Sequence, residues 1–89
     1  MENRENGDTK VTEIRNEVVR ILREDLGYRD ECLSPETRFE EDLGMDSLDF
    51  VELIIYVEED LDTTIPDDES DNLRTIGELV DWIAGHQQP

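Results

Sequence analysis

The sequence contains one cysteine, one histidine and no long apolar run. The single cysteine, Cys32, cannot form an intramolecular disulfide, which is typical of a cytoplasmic protein. No apolar stretch approaches the roughly 18–20 residues that cross a bilayer, and the polar N-terminus lacks the hydrophobic segment of a signal peptide. We therefore expect a cytoplasmic chain with no membrane insertion.

Basic residues are almost absent beyond residue 23. The 89 residues include 26 acidic and 8 basic side chains, which gives a net charge of −18. Residues 1–23 are neutral overall, whereas the only bases of residues 24–89 are Arg29, Arg38 and Arg74. Such a charge repels nucleic acids and anionic membranes and attracts basic protein surfaces. We expect basic proteins as partners; the alternative is an acidic surface that only keeps the protein in solution.

Residues for hydrolytic or metal chemistry are also missing. The only histidine is His86, near the C-terminus, and no Gly-x-Ser-x-Gly segment is present, which excludes a serine hydrolase. The acidic stretch 58–71 does not match a calcium loop, because Ile65 and Asp71 occupy the positions that require glycine and glutamate. We predict no catalytic residue and no structured metal site, although weak divalent-cation binding by the carboxylates stays open.

Periodic apolar residues predict an all-α fold. Their spacing predicts a small four-helix bundle, with three main helices and a short third helix, over residues 9–85. Residues 1–8 and 86–89 are expected to be flexible tails. The first helix should run over residues 9–26 and stop at Gly27.

Capping residues predict the other boundaries. Asp46 precedes the second helix, which should extend to about Leu61, and Asp49 completes a capping-box-like pair with it. Residues 67–72 are expected to form the short helix, and the segment Thr75–Glu78 is a capping box that opens the last one.

A long connection over residues 27–45 joins the first two helices. It contains a predicted turn at residues 34–37, followed by Phe39 and Leu43. Connections of this length are usually functional or tied down, so we expect both apolar side chains to anchor it to the core.

The second helix has two apolar faces on a helical wheel. The wider face is a core stripe formed by Phe50, Leu53, Ile54, Val57 and Leu61. The smaller face consists of Leu48, Val51 and Ile55, flanked by Glu52, Glu58 and Glu59. This second face is a docking surface for basic partners, a surface that the first helix or the long connection covers, or a few exposed apolar residues without a role.

Ser47 lies at the start of this helix, directly after Asp46. Unpaired backbone N–H groups and the positive end of the helix dipole favour an anion there, so a phosphate ester on the hydroxyl would be held despite the neighbouring acids. From position alone, the alternative is an ordinary serine in the first turn of a helix.

The block from Phe39 to Asp67 begins Phe-Glu-Glu-Asp-Leu-Gly-Met-Asp-Ser-Leu-Asp and ends Thr-Ile-Pro-Asp. It resembles an acyl carrier protein of the free-standing type found in bacterial fatty acid synthesis. The resemblance spans roughly residues 10–84 and is weaker over residues 73–83. The block from Asp-Ser-Leu-Asp to Ile-Pro-Asp is highly specific.

The resemblance implies a four-helix fold with a 4′-phosphopantetheine arm joined to Ser47, between Asp46 and Leu48. It implies a non-enzymatic monomer whose arm carries acyl intermediates as thioesters to fatty acid synthesis enzymes. Those enzymes and a phosphopantetheinyl transferase would dock basic surfaces on Leu48, Asp49, Val51, Glu52, Ile55, Glu58 and Glu59. The acyl group would be sheltered among Phe50, Leu53, Ile54, Val57 and Leu61.

Two residues depart from the family pattern. Phe50 is bulkier than the residue usual just after Asp-Ser-Leu-Asp, and Tyr56 replaces a small residue. A dedicated carrier for a polyketide or another specialised acyl pathway is therefore an alternative. An alternative of a different class is an acidic protein-interaction module without a prosthetic group.

The concentration of acids in the second helix predicts a response to salt. Residues 40–62 contain ten acids and no base, so like charges repel along the segment. Raising the ionic strength from about 0.1 M to about 1 M shortens the Debye length from about 10 Å to about 3 Å. The melting temperature measured by circular dichroism should therefore rise with salt; a constant midpoint would show that this repulsion is minor.

Overall fold

The computed structural model describes residues 2–28 and 33–86, with side chains from Lys10 onward. Within these residues it contains four α-helices and no β-strand, which confirms the predicted all-α bundle. The helices are α1 (Glu2–Arg20), α2 (Ser47–Leu61), α3 (Asp67–Ser70) and α4 (Ile76–His86). None of these described helices is long and apolar enough to cross a membrane.

Helix α1 begins at Glu2, earlier than the predicted start at residue 9, so the expected tail over residues 1–8 is helical from Glu2. Once the packed turns of a helix have formed, each further residue adds one hydrogen bond at low cost, and an acid at the N-terminus suits the helix dipole. The helix continues as a π-helical turn over Ile21–Asp25. It stops at Gly27, whose φ of 81° is easily adopted only by glycine.

The predicted C-terminal tail and the long connection lie partly outside the described residues. His86 belongs to α4, which therefore extends one position past the predicted stop at Gly85. Residues 87–89 of the predicted C-terminal tail, and Cys32 and Arg29 in the long connection, are outside the described part of the chain.

The apolar sides of α1, α2 and α4 meet in one core. Helix α1 packs mainly against α4 and also contacts α2. Among the side chains that the structure describes, eight are completely enclosed: Val18, Ile21, Leu22, Leu53, Val57, Ile76, Leu79 and Ile83. This core fixes the direction in which each face of α2 points.

Two main-chain hydrogen bonds hold the long connection against the start of α4. The Phe39 N–H donates to the Arg74 carbonyl at 2.9 Å, and the Ile76 N–H donates to the Thr37 carbonyl at 3.0 Å. Phe39 is buried and Leu43 is half-buried against the core, so both predicted anchors are confirmed. The predicted turn is also present, since the Thr37 N–H donates to the Ser34 carbonyl at 3.0 Å.

The start of α4 is capped as predicted. The Thr75 hydroxyl oxygen accepts the Glu78 N–H at 3.1 Å, and the Glu78 carboxylate accepts the Arg74 N–H at 2.7 Å. In a standard capping box the carboxylate would bind the N–H of the capping residue itself. Here it binds the preceding residue, which ties the segment between α3 and α4 to the start of α4.

Gly77 allows the connection to lie directly on α4. Its N–H donates to the Pro35 carbonyl at 2.9 Å. A Cβ atom at this position would lie 2.9 Å from the same carbonyl oxygen and 3.0 Å from the Pro35 Cβ. Gly85, in the same helix, has open space where a Cβ would be.

We predict that Gly77→Ala destabilises the protein by about 1–3 kcal/mol, because the main chain of the connection must move away from α4. The matched control is Gly85→Ala, which adds the same methyl group to the same helix and should stabilise it by about 0.5–1 kcal/mol. Chemical denaturation of both variants measures the difference. Equal free energies of unfolding would contradict the close contact at Gly77.

Candidate functional site

The first turn of α2 leaves the Ser47 side chain exposed. Asp46 adopts an extended conformation, and its carboxylate accepts the Asp49 N–H at 2.9 Å. The predicted N-cap is therefore confirmed, and capping does not use the Ser47 hydroxyl. Ser47 is the first helical residue, at the positive end of a 15-residue helix.

The preceding segment fixes where α2 begins. The Met45 N–H donates to the Phe39 carbonyl at 3.0 Å, and the Met45 side chain is buried. Gly44 has a φ of 67°, a left-handed conformation that turns the chain toward the helix start. Because Phe39 and Met45 are both packed into the core, the position of the adjacent Asp46 and Ser47 is set by the core itself.

A cavity of about 320 Å³ opens beside Ser47. Four apolar side chains and two serines line it: Phe39, Met45, Phe50, Leu73, Ser47 and Ser70. Six charged residues complete the lining: Arg38, Glu40, Glu41, Asp46, Asp71 and Arg74. The cavity therefore combines an apolar part with a charged rim, a combination found in sites for small ligands.

Two arginines lie at this cavity although the chain has few bases in this region. Arg38 and Arg74 are two of the only three bases in residues 24–89, and both line the cavity. Arg38 forms ion pairs with two neighbouring acids. Its guanidinium nitrogens lie 2.8 Å from a Glu41 carboxylate oxygen and 3.3 Å from an Asp42 carboxylate oxygen. The Arg38 N–H and guanidinium together lower the pKa of the Asp42 carboxyl.

The second apolar face of α2 is exposed. Leu48, Val51 and Ile55 have exposed fractions of 68%, 51% and 46%. Tyr56, elsewhere on the same helix, has an exposed fraction of 36%. Neither α1 nor the described part of the long connection covers these side chains. Of the three interpretations of this face, burial against the rest of the chain is therefore not supported by the structure, and the other two stay open.

The acids around this face differ in what they contact. Glu52 and Glu59 are exposed. The Glu58 carboxylate instead accepts the Ile65 N–H at 2.7 Å, which ties the end of α2 to the following loop. The Asp49 carboxylate accepts the Tyr28 hydroxyl at 2.7 Å, which ties the start of α2 to the long connection.

The comparison with protein families decides what this arrangement is. Residues 16–83 match the family model described as the phosphopantetheine attachment site. The chain belongs to the phosphopantetheine-attachment family. The match runs from α1 to α4 and includes Ser47 and the cavity beside it. It confirms the resemblance to an acyl carrier protein, and it gives 4′-phosphopantetheine as the covalently attached prosthetic group of this family.

The residues at the start of α2 fit the prosthetic group of the phosphopantetheine-attachment family. Attachment through a phosphodiester requires an accessible hydroxyl and an environment that tolerates one negative charge. The exposed Ser47 provides the first, and the N–H groups and positive dipole end at the N-terminus of α2 provide the second. Asp46 holds the helix start and leaves the serine free for modification.

The residues predicted to shelter an acyl group do not all reach this cavity. Phe50 lines it and is half-buried. Leu53, Ile54 and Val57 are buried in the core, and Leu61 is half-buried at the far end of α2. The cavity is bounded instead by Phe39, Met45 and Leu73, which lie outside α2.

Sequence patterns missed Tyr28, Arg38 and Arg74 as residues of this site. Tyr28 reaches α2 only through the fold, and no periodicity indicates it. The two arginines could have been noticed, because isolated bases in so acidic a segment are unusual. In the described part of the chain, no three carboxylates, histidines or cysteines come together in a way that could hold a metal ion.

The contact between Tyr28 and Asp49 predicts a pH-dependent contribution to stability. Burial and the Asp49 carboxylate raise the pKa of Tyr28 to about 12. A phenol whose pKa is higher in the folded than in the unfolded state stabilises the fold below pH 10, and this contribution is lost between about pH 10 and pH 12.

We predict that Tyr28→Phe lowers the free energy of unfolding by about 0.5–1.5 kcal/mol at neutral pH, because one hydrogen bond is removed. The difference from wild type should shrink as pH approaches 12. The matched control, Tyr56→Phe, removes a hydroxyl from the exposed side of α2 and should show neither effect. If the free energies of unfolding of Tyr28→Phe and wild type differ by the same amount across this pH range, the raised pKa of Tyr28 is contradicted.

Proposed function

We propose that this chain is an acyl carrier protein whose 4′-phosphopantetheine is attached to Ser47. Its role is to carry acyl intermediates between enzymes, in the cytoplasm, and to catalyse none of the reactions itself. The observation that supports this proposal best is the location of Ser47. It is exposed at the N-terminus of α2, with a cavity on one side and an uncovered apolar face on the other.

Each part of the site has a separate task in this proposal. The thiol of the bound prosthetic group holds acyl groups as thioesters. Asp46 keeps α2 capped so that Ser47 stays accessible, and the helix N-terminus stabilises the phosphodiester charge. Leu48 lies next to Ser47 and is the most exposed large apolar residue in the described part of the chain. It is therefore positioned to contact any enzyme that approaches the serine.

The partner surface that we propose is the exposed face of α2. Its apolar centre is formed by Leu48, Val51 and Ile55, and Glu52 and Glu59 are exposed acids of the same helix. A small apolar centre with a charged rim is the common arrangement of protein interfaces, and the acidic rim favours basic partners. Phosphopantetheinyl transferase and acyl-processing enzymes with basic patches are the partners that fit it. Asp49 and Glu58 belong to this surface as well, although each also has an intramolecular contact.

The pathway that we propose is fatty acid synthesis, because the motif around Ser47 resembles carriers of that type. A second candidate is a dedicated carrier in a specialised acyl pathway. It is favoured by Phe50, whose ring occupies part of the cavity wall next to Ser47. The acyl form isolated from the native host, identified by mass, distinguishes these two candidates.

Intact-mass measurement tests the attachment directly. The purified chain incubated with coenzyme A and a phosphopantetheinyl transferase should gain the mass of one phosphopantetheine. Ser47→Ala should gain none, whereas a variant of another serine, Ser34→Ala, should be modified like wild type. Unmodified wild type would favour an acidic interaction module, and modified Ser47→Ala would place the attachment elsewhere.

Charge reversal tests the docking surface. We predict that Glu52→Lys slows modification by the transferase roughly 10-fold, because the loss of a charge pair at the rim of an interface typically lowers the association rate. The matched control is Asp81→Lys, which makes the same change in net charge at an exposed position of α4. Melting temperatures of both variants check that the fold is intact. Equal slowing by both would indicate a general charge effect rather than a docking site.

A further inference from the structure

The cavity beside Ser47 ends at a pair of aromatic rings. The rings of Phe39 and Phe50 have centroids 5.4 Å apart and are tilted by 56°. This separation and tilt are typical of a favourable aromatic pair. Both rings line the cavity. They therefore form part of its inner wall, between Ser47 and the core.

The side chains behind this wall belong to the buried core and do not line the cavity. Leu53 and Val57 are fully buried and Ile54 is 8% exposed, and none of the three lines the cavity. These residues follow Phe50 along the inner side of α2. A group that entered from the Ser47 side would have to displace the Phe50 ring before it could reach them.

Phe50 is well placed to control this route. It lies three residues after Ser47, so the two side chains are neighbours on the helix surface. Phe39 is 3% exposed and is fixed by the main-chain bond to Arg74, whereas Phe50 is only half-buried. Phe50 is therefore the member of the pair whose removal can open the wall without removing an anchor of the long connection.

The rest of the cavity lining is mixed, because Met45 and Leu73 are apolar and the other residues are polar or charged. Its rim carries Arg38, Arg74, Glu40 and Asp71. A long hydrocarbon chain cannot bury itself among such groups without desolvating them, which is unfavourable. The volume of about 320 Å³ is at the lower end of the range of roughly 300–1,000 Å³ found for small-molecule pockets.

We propose that Phe50, paired with Phe39, closes the core to the cargo and makes this a carrier for short acyl groups. The inference rests on the proposed attachment to Ser47. A short acyl group fits in the cavity outside the aromatic pair, and the distal part of a longer chain stays outside the core. Phe50 thus determines cargo length by excluding chains from the space among Leu53, Ile54 and Val57.

Methyl NMR spectra of the loaded protein test this proposal. A phosphopantetheinyl transferase loads wild type at Ser47 from coenzyme A analogues that carry a butyryl, octanoyl or dodecanoyl group through an amide in place of the thioester. The acyl-phosphopantetheine portion is transferred to the serine oxygen and 3′,5′-ADP is released, and loading is verified by mass. We expect all three to shift the methyl signals of Met45 and Leu73 at the cavity. The signals of Leu53, Ile54 and Val57 should be the same for the three chain lengths.

Variants that remove the ring should change this result. In Phe50→Ala, octanoyl and dodecanoyl chains should shift the core methyl signals several-fold more than butyryl does. Phe50→Val gives the same test with a smaller loss of apolar contact, and circular dichroism shows which variants are folded. Tyr56→Ala removes an aromatic ring from the exposed side of α2 and should behave like wild type.

Two results would overturn the proposal. One is a chain-length-dependent shift of the core methyl signals in wild type, which needs no variant. The other is a folded, loaded Phe50 variant in which long chains leave those signals unchanged. If wild type cannot be loaded at Ser47 at all, the proposed function fails and this inference fails with it. If only the inference about cargo length fails, the loaded protein still has the predicted mass.

Discussion

The antiparallel pairing of residues 37–39 with residues 74–76 is the constraint on which the site depends. Its two main-chain hydrogen bonds fix Phe39 against the start of α4. Phe39 in turn accepts the Met45 N–H, and both side chains are buried. The segment between them therefore has both ends anchored, and the next two residues are the N-cap and the exposed serine. Residues 37–45 of the long connection in this way support the helix start.

The acidity of α2 is compatible with folding because most of its acids point away from the core. Two exceptions, Asp49 and Glu58, accept hydrogen bonds from Tyr28 and from the Ile65 main chain. These bonds fasten both ends of the helix to neighbouring segments. Near its C-terminal end, α2 is also linked to α1 through Arg20, which reaches Asp60 at 3.3 Å and pairs with Glu17. Exposed ion pairs of this kind contribute little stability, so the core carries most of it.

The features that were predicted correctly depend on residues that are close together in the sequence. The helix-capping residues Asp46 and Thr75, the stop at Gly27 and the two faces of α2 were predicted correctly, because each depends on residues within a few positions. The early start of α1 was missed, since apolar periodicity does not extend into its first turns. The contact of Tyr28 with Asp49 was also missed, because it joins residues 21 positions apart. The requirement for glycine at position 77 was missed for the same reason. It arises because Pro35, which is distant in the chain, packs where a Cβ atom would lie.

The sequence by itself determined where α2 begins, which serine opens it and which of its faces is apolar with acidic neighbours. These properties follow from the backbone conformation of a few adjacent residues and from the helical repeat. Only the tertiary structure decided that the second face is uncovered, and that a cavity lies between Ser47 and an aromatic pair. Both depend on where α4 and the connection pack, and packing joins residues that are distant in the chain. The space left beside a helix is therefore a property of the whole core and not of the helix that borders it.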